Sequence, residues 1–358
     1  MRHLLLLMPV LAGGVMAHSV AAMPMPGVNV PAMANASNLV VVGRVAAVQN
    51  NFGQRQISQT FEISVDRVLR GAAAALSAPV SVALTPSTPG YAAVAERQYG
   101  IFFLQKQTSG GVYTAADPFH VALPAAPTRI AGQPKSADTL TSVAQELAGV
   151  LTAPAASLTN PNGVGGLVTA APTDQAQYVY YEAATALATI PYATAASALE
   201  AAAMSNQASA RLWGAYALFS MSDAGDDGAK VECLRSLTPL LVNPLPDTSF
   251  AVSMLANAIE GRLSSPNAVP TLAALLGSSA TAVRQAAASD LSDIATPDAV
   301  APLASAALYD ADQTVRYFAV LGLATAAADP SPPTLAFFKQ NERDLLAYWR
   351  RWARMPVQ

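Results

Sequence analysis

The chain has 358 residues, with 20 Lys and Arg against 23 Asp and Glu, a net charge of −3, 12% charged and 52% hydrophobic residues. Soluble domains usually carry about 25% charged residues, so no basic track exists to neutralise a nucleic-acid backbone. The apolar content excludes wholesale disorder, and the length suits two or three domains.

Residues 1–22 read as a secretory signal peptide. Arg2 supplies the positive start, Leu4 to Val15 the apolar run, and Val20-Ala21-Ala22 the small residues of a cleavage site. The run is broken by Pro9 and Gly13-Gly14 and is too short for a membrane span, which needs about 20 residues. The expected location is therefore exported: periplasmic or secreted, in a bacterium, with no transmembrane segment in the mature chain. Residues 23–37, opening on Met23-Pro-Met25-Pro, read as a linker.

Residues 38–124 change to the period of strands. Leu39 to Gln49 is β-branched, and Thr60 to Val68 alternates, with Phe61, Ile63 and Val65 on one face and Glu62, Ser64 and Asp66 on the other. Val80–Leu84, Gln98–Gln105, Val112–Thr114 and Phe119–Leu123 follow. Five or six short strands with few helical signals between them predict a small β-barrel. The order "NLVVVGRV", "FEISVDRVLRG", "RQYGIFFLQKQ", "GVYTAADPF" resembles the OB-like barrel of tissue-inhibitor-of-metalloproteinase-like domains. Those inhibitors act through an N-terminal Cys that this chain lacks, so the resemblance implies the fold and not protease inhibition. His120, in the last strand, is expected to be a packed or surface imidazole.

Residues 125–174 shift to Ala, Pro, Thr and Gly and read as a linker with one helix, Ala137 to Leu151. Pro161 to Gly166 (PNGVGG) lacks the Lys of a phosphate loop and reads as a hinge.

Residues 175–328 repeat. Ser265–Ile294 aligns with Thr296–Thr325 as helix A, turn, helix B: Pro266 and Pro297 are 31 residues apart, Leu272 and Leu303 31, Arg284 and Arg316 32. Ala208–Met221 and Tyr178–Ile190 match the same helix B. One core position then falls at Leu187, Leu218, Ile259, Leu291 and Leu323, the pattern of an α-solenoid of helical hairpins. Ala210/Gly214/Leu218, Val283/Ala287/Leu291 and Val315/Ala319/Leu323 form apolar stripes at i, i+4, i+8. The V-R opening of helix B and the A-V-x-x-L of helix A resemble HEAT-like repeats of the short type that bilin lyases also carry. In that family the helix-B Arg meets an acid in the preceding turn. Asp310 and Asp312 precede Arg316, but Ser278–Thr281 precedes Arg284, so the ladder is incomplete; Arg211, Arg284 and Arg316 read as structural, the alternative being ligand contacts. The resemblance places helix B on the concave surface, where Trp213, Tyr216, Phe318 and Leu321 would form an aromatic groove for a partner. The alternative buries these side chains within the chain.

Residues 329–358 hold an aromatic, basic helix (Leu335 to Arg354) that reads as a solenoid cap, the alternative being a helix on a membrane or partner. With His3 and His18 in or beside the leader, the mature chain has one His and one Cys, Cys233. That excludes a two-His metal motif and an intrachain disulfide, and Cys233 reads as a small core residue. No nucleophile elbow or P-loop occurs, and Glu182, Asp290, Asp293 and Glu260 on the helix-B rows show no pairing. Neither cofactor nor metal is expected. The predicted function is a non-enzymatic exported scaffold binding another protein or envelope component. The alternatives are a HEAT-like lyase or maturation factor and a structural accessory subunit.

Overall fold

The computed structural model describes residues 27–52, 57–71, 78–84, 94–108, 111–127, 138–158, 172–224 and 227–352. The leader, Met23 and Met25, and the Pro161–Gly166 hinge lie outside them. An N-terminal barrel is followed by a helical repeat region.

The barrel uses β1 (Leu39–Phe52), β2 (Ile57–Arg70), β3 (Val80–Leu84), β4 (Tyr99–Lys106), β5 (Tyr113–Ala115) and β6 (Ala122–Pro124). Five strands form a ring in the order β1-β2-β3-β5-β4, closed by β1 against β4, with β6 beside β5 on the outer edge of β4. Among the described strands only the β3–β5 pair is parallel, at Val82 and Tyr113. β1 and β2 run longer than their alternation suggested because β1 serves two neighbours, pairing Leu39–Arg44 with β4 and nearly its whole length with β2. Register shifts after Val40, Val42 and Val45 coil the strand enough to do both. Gly43 sits at one of them, where a Cβ would lie 2.3 Å from the Ser64 carbonyl oxygen. His120 belongs to the turn before β6 and not to a strand, its Nδ1 2.8 Å from Asp117 Oδ2.

The barrel has two apolar faces. Leu39, Val41, Phe61, Ile63, Val82, Phe102 and Leu104 fill its interior, whereas Val40, Val42, Ile101 and Phe103 point outward into a second core shared with the helices. That explains why Leu39–Val42 and Ile101–Leu104 are unbroken apolar runs: both pleats are buried.

Two segments expected to be linkers are built into that shared core. α1 (Val30–Ala36) begins at Asn29, whose side chain accepts from the Ala32 N–H, and Pro31 occupies its first turn, where a missing N–H costs nothing. Val30, Met33 and Ala34 are buried, and the Val30 N–H donates to Thr189 Oγ1 at 3.1 Å. α2 (Thr139–Leu151), close to its expected bounds, starts at Asp138, whose carboxylate accepts from Thr141 and is held below the usual carboxylate range by those hydrogen bonds. It buries Val143, Leu147, Val150 and Leu151. Glu146 of α2 takes both oxygens to Arg67 of β2, Oε1 at 2.7 Å and Oε2 at 2.5 Å, in a fork geometry only 9% and 18% exposed.

The solenoid continues with α3 (Pro172–Leu187), α4 (Tyr192–Ala203), α5 (Ala208–Ser220), α6 (Asp227–Val242), α7 (Ser249–Ile259), α8 (Val269–Leu275), α9 (Thr281–Ile294), α10 (Pro297–Tyr309) and α11 (Gln313–Ala326). α3, α5, α7, α9 and α11 stack as the B row; α6, α8 and α10 pack in sequence on the other side. The repeat position predicted from the sequence is buried in every copy: Leu187, Leu218, Ile259, Leu291 and Leu323. The small residues of the stripes allow this closeness. A Cβ on Gly214 would meet that of Ala202 at 2.8 Å, and one on Gly322 would meet Leu303 Cδ1 at 2.7 Å and Ser292 Cα at 2.8 Å.

α12 (Leu335–Trp352) lies on α10 and α11, with Phe338 and Trp349 buried. Its helical geometry breaks at Asn341, whose amide donates to the Phe337 carbonyl.

Candidate functional site

Arg211, Arg284 and Arg316 open the B helices and reach forward along the stack. Arg284 pairs with Asp310, 26 residues on, through Nε–Oδ2 at 2.8 Å and Nη2–Oδ1 at 3.2 Å. Arg316 pairs with Glu342 of α12, again 26 residues on, at 2.7 Å from Nε. Arg211 Nη2 donates to the Ser236 carbonyl at 2.6 Å. The acid expected in the preceding turn is thus in the following one, and α12 supplies it where the next repeat would. Within its own turn, each Arg of the last two copies donates instead to a carbonyl, Ser278 for Arg284 and Asp310 for Arg316. Asp312 caps α11 and accepts from Gln285; these hydrogen bonds hold it below the usual carboxylate range.

The expected groove of Trp213, Tyr216, Phe318 and Leu321 does not form as one surface. Trp213 is 0% exposed, and its Nε1–H donates to Gln177 Oε1 at 3.0 Å. It is core and unavailable to a partner. Helix B is flanked by a B helix on each side as well as by its A helix, so more than one stripe is buried. Phe318 and Leu321 are half-buried near the far end, Phe318 stacking at 5.5 Å on Tyr317, which in turn meets Phe338 of α12.

What the structure gathers instead is a patch of rings over Trp213. Tyr181 of α3 lies 5.9 Å from Trp213, 5.8 Å from Tyr216 and 6.3 Å from Phe250 of α7. Phe250 contacts Tyr178 at 5.5 Å and Trp213 at 5.6 Å. Tyr178 is 45% exposed; Tyr181, Tyr216 and Phe250 are half-buried. Burial raises the Tyr216 hydroxyl above its ordinary value, so it stays a neutral hydrogen-bonding group. Edge and tilted contacts at 5.5–6.3 Å hold the rings in a fixed relief. Sequence reasoning found Tyr216 and missed Tyr178, Tyr181 and Phe250, although Tyr178 and Tyr181 stand in the Tyr178–Ile190 copy of helix B. The signal was the i, i+3 spacing of these two tyrosines.

The four acids of the B rows do not converge. Asp290 is fully buried and accepts the Gly261 N–H at 2.6 Å, while Asp293 and Glu260 are exposed. Desolvation pushes Asp290 up to about 8, and Asp293 adds to the rise. Burial likewise raises the half-buried Cys233 thiol to about 11, leaving it protonated and unreactive at neutral pH. No group of three or more His, Cys, Asp or Glu gathers among the described residues, and no described helix is long and apolar enough to cross a membrane.

The family model of HEAT repeats matches residues 238–324, from within α6 nearly to the end of α11. The same stacking continues back through α5 to α3, outside the match. No curated protein matches the chain.

Proposed function

We propose that this chain is an exported, non-enzymatic binding scaffold that docks a protein partner on the aromatic patch of α3, α5 and α7. The observation that carries the reading is the exposed Tyr178 ring in register with Tyr181, Tyr216 and Phe250 over a buried Trp. Aromatic side chains on a rigid, well-packed base are the usual anchors of protein interfaces, offering large area at low entropic cost. Similarity to HEAT repeats supports protein binding as the use of the solenoid. The leader, Arg2 with the Leu4–Val15 run, supports export to the periplasm or medium. The ring order β1-β2-β3-β5-β4, with its parallel β3–β5 pair, supports the OB-like reading of the barrel.

The test is co-purification of the full chain from the extracytoplasmic fraction beside a Tyr178→Ala/Tyr181→Ala variant whose melting curve shows it folded. A protein retained by the wild type and lost from the variant supports the patch as the interface. The same set on both removes the patch from the function, and recovery of the chain with residues 1–22 still attached removes the cleaved leader.

A further inference from the structure

A cleft of about 270 Å³ opens where the barrel meets α3, away from the aromatic patch. It lies just under the usual range of about 300–1,000 Å³ for small-molecule pockets. The barrel wall brings Arg44 of β1, Arg97 and Gln98 of the preceding turn, and Tyr99 of β4; α3 brings Glu182; the apolar lining is Leu123, Leu158 and Val179.

The fold places the Arg44 guanidinium and the Arg97 backbone. Arg44 lies 5.3 Å from the centre of the Tyr99 ring, and its Nη1 donates to the Arg97 carbonyl at 3.0 Å. Among the described residues those contacts use one face and one amino group of the guanidinium. Arg97 has φ +69°, a left-handed conformation that strains a residue with a Cβ. Backbone bonds hold it there: the Arg97 N–H donates to the Val45 carbonyl at 2.9 Å, and the Val45 N–H to the Gln98 carbonyl at 2.8 Å. Glycine suits that turn without strain, yet the position carries a second cation.

Glu182 of α3 brings the opposite charge to the same cleft. Neither arginine is ion-paired to a described carboxylate, and Glu182 is ion-paired to no described cation. Gln98 Oε1 is buried with no donor among the described residues. Glu182 remains accessible, but the atoms crowding its carboxyl raise its pKa, with His120 opposing.

We propose that this cleft binds a small zwitterion of the amino-acid class, its carboxylate on Arg44 and Arg97, its ammonium on Glu182, and its side chain over Leu123, Leu158 and Val179. Arg44, Arg97 and Glu182, in no ion pair among the described residues, then each meet a charge of opposite sign, and planar guanidinium forks suit a carboxylate.

The experiment is calorimetric titration of the full chain with the common free amino acids, and with N-acetyl-leucine and leucinamide as probes that each lack one charge. At least one free amino acid binds saturably, while either blocked form is at least tenfold weaker than leucine. Arg97→Gln and Glu182→Gln each weaken binding at least tenfold without moving the ligand-free melting midpoint, and Tyr178→Ala leaves it unchanged. Absence of binding by every amino acid at millimolar concentration, equal binding of the blocked forms, or wild-type affinity in both cleft variants overturns the proposal.

Discussion

Trp213 and Tyr178 stand in one ring cluster and differ in what their removal does. Trp213→Ala empties a fully buried site and breaks the bond to Gln177, so it should cost about 3–5 kcal/mol. Tyr178→Ala should cost about 1 kcal/mol or less, its share of one ring contact; urea denaturation of the two variants measures both. Asp290 gives a prediction with a definite sign. Its folded pKa of about 8 lies above the unfolded value of about 3.9, so the folded state holds the proton more tightly. Its contribution is therefore most favourable below about pH 4 and falls as pH rises towards 8, by up to about 1.4 kcal/mol per unit. Asp290→Asn keeps an acceptor for the Gly261 N–H without a charge. The urea midpoint of the variant should change less between pH 5 and 8 than that of the wild type, and parallel profiles would remove Asp290 as the cause.

Helices pack here at distances set by what they lack. Gly322→Ala should cost about 1–3 kcal/mol, because the new methyl meets Leu303 and Ser292 inside 3.0 Å. Gly149→Ala, in a helix where nothing lies within 4 Å of the new carbon, should stabilise by about 0.5–1 kcal/mol; thermal unfolding of the pair separates crowding from helix propensity. The solenoid was legible in the sequence because one residue per copy, from Leu187 to Leu323, carries the core in every repeat. The partners of the arginines were harder to see. A forward contact to the next turn shows only when Arg284/Asp310 and Arg316/Glu342 are noticed to share a 26-residue spacing. α1 was hidden by Pro31 and the methionines, which read as a tether, although Asn29 and the Val30, Met33, Ala34 spacing are those of a capped amphipathic turn. The junction cleft could not be read at all, since β1, the turn before β4 and α3 meet only in the folded chain.

At the scale of the whole molecule, one core runs from the outer face of the barrel through α1 and α2 to α12. Barrel and solenoid should therefore unfold together. Tryptophan fluorescence reports only the helical region, where Trp213, Trp349 and Trp352 all lie, and far-ultraviolet dichroism reports both parts. Coincident transitions are the expected outcome, whereas a separate barrel transition would show that the shared core does not couple them. Glu146→Ala should cost about 3–5 kcal/mol, because it leaves the buried Arg67 charge without its carboxylate.

The bond between Val30 and Thr189 spans 159 residues of chain. A ribosome adding about 5–20 residues per second needs on the order of 10–30 s to make that span. For most of that interval α1 and the outer barrel residues Val40 and Val42 wait for helices to cover them, since α2 begins only at Thr139 and α3 at Pro172. A segment made early is thus among the last to be finished, and its apolar face is open to other chains until α2 and α3 are made.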